Sequence, residues 1–131
     1  MKQTFRPGDR KIFTTKVTKD DVASFNGEEV HPVYSTFSLG RDAEWACRLF
    51  VLEMKDEQEE GIGTQLQITH VAPAIVGSEI AIVAEIQDIQ NNTIVCSFEV
   101  FHKDRLIATG SQTQKILQKE KIRMMIQTLP E

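Results

Sequence analysis

Ser38-Leu39-Gly40-Arg41-Asp42-Ala43-Glu44-Trp45-Ala46-Cys47-Arg48-Leu49-Phe50-Val51-Leu52-Glu53-Met54 is the stretch on which the fold turns. Leu39, Ala43, Ala46, Leu49 and Phe50 recur at helical spacing with no internal proline, which predicts one long helix with an apolar face. After Gly61 the period changes to two. Ile62, Leu66 and Ile68, then Ile80, Ile82, Ala84 and Ile86, then Ile94, Cys96, Phe98 and Val100, then Ile107 onward predict four successive strands. Pro73 with Gly77 separates the first two, and the short Asn91-Asn92 and Lys103-Asp104 connections predict antiparallel hairpins. On the N-terminal side, Lys11 to Val17 reads as a strand. Thr18 with Asp21 then resembles a capping box opening a brief helix that ends near Gly27, and Pro32 restrains the connection into the long helix. A sheet apolar on alternate positions must be covered, and only the Ser38 to Met54 helix is long and apolar enough to cover it. The expected architecture is α+β, an antiparallel sheet wrapped around one helix. Its other face is mixed at Ala81, Val83, Val95 and Phe101, a surface on which a second copy would pack, so a homodimer is expected.

The chain has 131 residues, 40% of them apolar and 26% charged, which predicts a single domain over 1–131. Its core is placed at about 8–119, with a tail over 120–131 that is either a terminal helix or frayed. A net charge of −4 without a basic stripe argues against nucleic acid or an anionic membrane as partner. Neither a signal-peptide pattern at Met1 to Gly8 nor a bilayer-length apolar run is present, so the expected location is cytoplasmic. Cys47 and Cys96 lack metal-ligand spacing and read as reduced, buried small residues. Asp56-Glu57-Gln58-Glu59-Glu60-Gly61 reads as a solvated turn, and neither a metal nor a cofactor is expected.

The chemistry sits around the long helix. A hydroxyl, a carboxylate and an imidazole reach it from separate elements in His31-Pro32-Val33-Tyr34-Ser35-Thr36, in Glu44-Trp45-Ala46-Cys47 and in Gly63-Thr64-Gln65-Leu66-Gln67-Ile68-Thr69-His70, a set suited to acyl transfer. Each residue also has a plainer reading. Thr36 suits a helix N-cap, Glu44 stands four residues before Arg48 as in a surface ion pair, His70 shares strand parity with Ile62, Leu66 and Ile68, and Gly63 suits a bulge. His31 and Tyr34 are near enough to line a pocket, though His31 before Pro32 also fits a loop. Arg41, Arg48, Lys103 and Arg105 are candidate partners for phosphate, or ordinary solvated charges.

From Gly8 to Lys119 the chain resembles the hot-dog fold thioesterases of the fluoroacetyl-CoA thioesterase-like family. The resemblance rests on Val33-Tyr34-Ser35-Thr36, on Glu44 eight residues after that threonine, on Gly63-Thr64 followed by Thr69-His70, and on the Val71 to Gly77 turn with its proline. It implies a hot-dog fold, hydrolysis of a small or medium acyl-CoA thioester, and catalytic roles for Thr36, Glu44 and His70, with Gly63 at the thioester carbonyl. Coenzyme A then enters only as part of the substrate. Tyr34 and Phe37 are further substrate-binding candidates, and Phe37 replaces a small residue of the fluoroacetyl-CoA enzyme, which implies a different pocket floor or entrance. Fluoroacetate specificity is not implied. The hydratase branch of the same fold has histidine five residues after its aspartate, whereas Asp42 here is followed by Cys47 at that place. The alternative reading is a hot-dog protein that binds acyl-CoA or an acyl carrier without turning it over.

Overall fold

The computed structural model describes all 131 residues, Met1–Glu131. Strand β1 (Arg10–Lys16) leads through a single 3-10 turn (Lys19–Asp21) to β2 (Val22–Phe25) and β3 (Glu28–Tyr34). The long helix α1 (Thr36–Met54) follows, then β4 (Glu59–His70), β5 (Glu79–Gln90), β6 (Thr93–His102), β7 (Arg105–Gln118) and the terminal helix α2 (Lys119–Gln127). Five strands form one antiparallel sheet in the order β1-β5-β6-β7-β4, and β2 with β3 forms a separate hairpin. The sheet wraps α1. Leu39, Ala43, Ala46, Cys47, Phe50, Val51 and Met54 of the helix are buried against Ile80, Ile82, Ile86, Ile94, Phe98, Val100 and Ile107. Burying a side chain the size of Phe50 contributes about 1.5–3 kcal/mol, so this interface carries most of the fold's apolar stabilisation. Leu49 is only half-buried; Cys47, Val51 and Met54 complete the face instead.

Three expectations need correction. The capping box at Thr18 and Asp21 is present, but it opens only the 3-10 turn. Val22 and Phe25 favour extended backbone, and Asn26 (φ 53°) with Gly27 (φ 79°) makes the two-residue hairpin turn that takes the chain back along β3. His31 and Pro32 therefore lie in a strand rather than a loop, with the proline in the irregularity between the Ala23–His31 and Val22–Tyr34 pairs, where a missing N–H is tolerated. The acidic segment is also not all solvated turn. Glu59 and Glu60 begin β4, Glu59 is buried, and Glu60 receives Arg48 Nη2 at 2.6 Å. Helix α2 buries none of its residues, and no helix is long and apolar enough to cross a membrane.

One departure from regular pairing governs the site. Gly63 pairs with Gln114 but Gln65 pairs with Thr113, so Thr64 is an extra residue, a β-bulge. Below the bulge Gly61 and Gly63 face α1, toward Val51 and Glu44; above it Leu66 and Ile68 do so, lying over Gly40. Ile62 consequently does not share a face with Leu66, Ile68 and His70.

Candidate active site

The start of α1 settles what its hydroxyls do. Ser35 is the N-cap, its Oγ accepting the Ser38 N–H at 2.9 Å, which satisfies one of the free amides of the first turn. Thr36 is thus the first helical residue and its hydroxyl is not needed for capping. It meets His70 instead: Thr36 Oγ1 and His70 Nδ1 stand 3.0 Å apart, across from the end of β4. The other ring nitrogen, Nε2, is buried without a hydrogen-bond partner. A buried polar atom without a protein partner costs stability relative to one that is hydrogen-bonded.

Glu44 lies two helical turns further along. The ion pair with Arg48 read from the i to i+4 spacing is not formed, because Arg48 reaches across to Glu60, whose carboxyl burial alone would raise but the Arg48 guanidinium and the Gly61 N–H hold below its ordinary value. Glu44 is left exposed with no hydrogen-bond or ion-pair partner. Its Oε1 would stand 3.0 Å from a Cβ on Gly63, so any side chain there would press on the carboxylate, and glycine keeps the approach open.

The structure therefore brings the four candidate residues together as two pairs, Thr36 with His70 and Glu44 with Gly63. Eight helical residues separate Thr36 from Glu44, about 12 Å. Seven strand residues separate Gly63 from His70, about 20 Å with the bulge. A cleft of about 570 Å³ runs along α1 between the pairs, with Leu66 and Ile68 beneath it and Thr36, Phe37, Glu44 and Trp45 on its wall. Phe37, 85% exposed, stands at its mouth. A larger hollow of about 770 Å³ lies beside β1, between Thr14 and His102, and holds none of the candidate catalytic groups.

Tyr34 does not reach the cleft. It is buried, and its hydroxyl donates to Asp42 Oδ2 at 2.5 Å. Burial first, and then the Asp42 carboxylate, push the Tyr34 phenol well above its ordinary value, so it remains a neutral donor. Arg41 bridges the same carboxylate to Asp21 (2.9 Å), which also accepts the Thr18 N–H (2.8 Å). This chain of contacts ties the hairpin to α1. Arg41 and Arg48 are thus engaged by carboxylates, while Lys103 and Arg105 sit at the β6–β7 turn.

One residue at the site was not anticipated. Gln112 of β7 is 1% exposed, its Oε1 is buried without a partner, and its Nε2 lies 3.4 Å from the same Cβ position on Gly63 that Glu44 approaches. Its neighbour Gln114 is satisfied by the Cys47 carbonyl at 3.1 Å. In the sequence both glutamines sit in a polar run, Ser111-Gln112-Thr113-Gln114, that carries no sign of an inward face.

Residues 17–120 match the family model described as fluoroacetyl-CoA-specific thioesterase. The structure is similar to that of a Thermus thermophilus hypothetical protein, a thioesterase superfamily member, at 30% identity and a TM-score of 0.91, over 95% of this chain and 93% of that one. It is also similar to the fluoroacetyl-CoA thioesterase, at 19% identity and a TM-score of 0.88, over 98% of this chain and 100% of that one. A hot-dog-like protein of Thermanaerovibrio acidaminovorans aligns at 16% identity and a TM-score of 0.85, over 97% and 96% of the two chains. No curated protein sequence matches the chain.

Proposed function

The chain belongs to the fluoroacetyl-CoA-specific thioesterase family, a family of thioester hydrolases, and from that premise we propose that it hydrolyses a small or medium acyl-CoA thioester with Thr36, Glu44 and His70 as the reacting groups. The observation that carries this reading is the 3.0 Å contact of Thr36 Oγ1 with His70 Nδ1, which leaves the second ring nitrogen, Nε2, without a hydrogen-bond partner. Thr36 fixes the orientation of the ring. Glu44, free of any ion pair, takes a proton from the attacking water as its oxygen bonds to the carbonyl carbon. Collapse of the tetrahedral adduct breaks the C–S bond, and the imidazole supplies the proton to the departing thiolate.

The separation of the two pairs supports a homodimer. Strand β4 pairs only with β7, so its other edge is open. Gln67 turns its carbonyl toward Gly110 of β7, close enough that a Cβ there would stand 2.0 Å from it, so Leu66 and Ile68 present their N–H and C=O groups outward. A second copy pairing antiparallel about Gln67 would set Leu66 against the partner's Ile68, both on the α1 face. The Gly63–Thr64 bulge would then lie opposite the partner's His70, joining Glu44 and Gly63 of one copy to Thr36 and His70 of the other. The exposure of Leu66 (40%), Trp45 (42%) and Phe37 (85%) along this line accords with a covered surface.

The test is thiol release from acyl-CoA esters of increasing chain length. Hydrolysis that falls about 100-fold or more in Glu44→Gln, with the fold intact by circular dichroism, is the expected result. Binding of acyl-CoA without hydrolysis would instead establish a non-catalytic acyl-CoA or acyl-carrier binding protein.

A further inference from the structure

Gln112 has no structural task. Its side chain is almost wholly buried, yet neither end of the amide is hydrogen-bonded, and Oε1 is enclosed without a partner. An apolar residue of the same size would fill the position at lower cost, as the buried neighbours Cys96 and Phe98 on the adjoining strand do. The amide is also aimed. The point above Gly63 where a Cβ would sit is 3.4 Å from Gln112 Nε2 and 3.0 Å from Glu44 Oε1, and Gly63 itself is exposed. One small, accessible space is therefore bracketed by an acceptor that can hold a water and by a donor that can hold an oxygen. Addition of water to a carbonyl needs that combination about 3 Å from the reacting atom.

We propose that Gln112 is a further catalytic residue, whose Nε2–H donates to the thioester carbonyl oxygen above Gly63 while the water held by Glu44 adds to the carbonyl carbon. As the C–O bond forms, the carbonyl π pair moves onto the oxygen, where the amide receives the charge. The pair returns when the C–S bond breaks and the thiolate leaves. The assignment rests on the thioesterase reading above and adds to it a side-chain donor from β7, a strand that supplies none of Thr36, Glu44 and His70.

Gln112→Met tests it, because removing an idle buried amide and removing a catalytic one move different quantities. The expected result is a melting temperature equal to or above that of the wild type, kcat lowered about 100-fold and KM within about 3-fold. In Glu44→Gln, loaded with an acyl-CoA carrying ¹³C at the carbonyl, the infrared carbonyl band lies below that of the free ester. Adding Gln112→Met returns it toward the free value. Should Gln112→Met fail to fold, Gln112→Glu retains the size but cannot donate when ionised, and the same loss of kcat is expected at pH 8. Wild-type kcat in the variant, or a carbonyl band that does not move, would overturn the role of Gln112 while a dead Glu44→Gln leaves the site reading intact. A wild-type protein that hydrolyses no acyl-CoA would overturn both together.

Discussion

At the scale of single residues, the site depends on which groups are already occupied and which are not. Ser35 caps α1, so Thr36 can meet His70; Glu60 takes Arg48, so Glu44 stays free. Both plainer readings of these residues describe contacts that the structure makes with a neighbour instead. His70 is the group whose loss changes the shape of the pH profile rather than its height alone. His70→Ala is expected to lower kcat and to change the shape of the pH–rate profile, and rates measured from pH 5 to 9 would show it. An unchanged profile would remove His70 from the chemistry. A hydroxyl, a carboxylate and an imidazole were legible as a set by residue type, and the family resemblance singled out Thr36, Glu44 and His70, each of which taken alone has a plainer reading. Gln112 was not legible, because a glutamine in a polar stretch of strand gives no sign of which face it joins.

At the scale of elements, the hairpin before α1 and the change of parity made by the bulge at Thr64 are the two features the sequence hid. Strand parity counted through residue 64 puts Gly63 and His70 on opposite faces; the extra residue brings both to α1. Gly63 suits a bulge, but nothing in Gly63-Thr64-Gln65 shows that an extra residue reverses the parity of the strand beyond it, whereas the long helix and the four later strands announce themselves by their periods. The hairpin was obscured by Thr18 and Asp21, a true helix-opening signal that local β-forming residues and the Asn26-Gly27 turn overrule after one turn. Asp21 then binds the hairpin to α1 through Arg41. Burial raises its carboxyl, but the Thr18 N–H, Arg41 and the Thr18 hydroxyl outweigh that and hold it below the ordinary 3.8. A carboxyl depressed in the folded state adds stability that is complete above its ordinary value and is lost as the pH falls below it. The melting temperature is therefore expected to drop between about pH 4 and 2, less steeply in Asp21→Asn, as calorimetry across that range would read.

At the scale of the molecule, the unpaired edge of β4 and a site in two parts raise the same question, what lies beside that strand. Leu66→Lys places a charge on the α1 face of that edge, where pairing with a second copy would bury it. The expected outcome is a halved mass in sedimentation and at least a tenfold loss of hydrolysis with the circular dichroism spectrum retained; a variant that keeps its mass and rate would dismiss the dimeric site. The sheet order also sets a schedule. His70 lies near the middle of the chain, but the strand that carries it has one neighbour only, β7, which ends at Gln118. At about 5–20 residues per second, a ribosome takes several seconds to make that neighbour after β4 emerges. Until then β1, β5 and β6 can zip together around α1 while β4 waits unpaired. Strand β4, which carries the proposed catalytic residue His70, is thus the last to be seated, and in pulse-labelled refolding its amides, with those of β7, should gain protection from exchange after those of β5 and β6. Competence to react would arrive as the final event of folding.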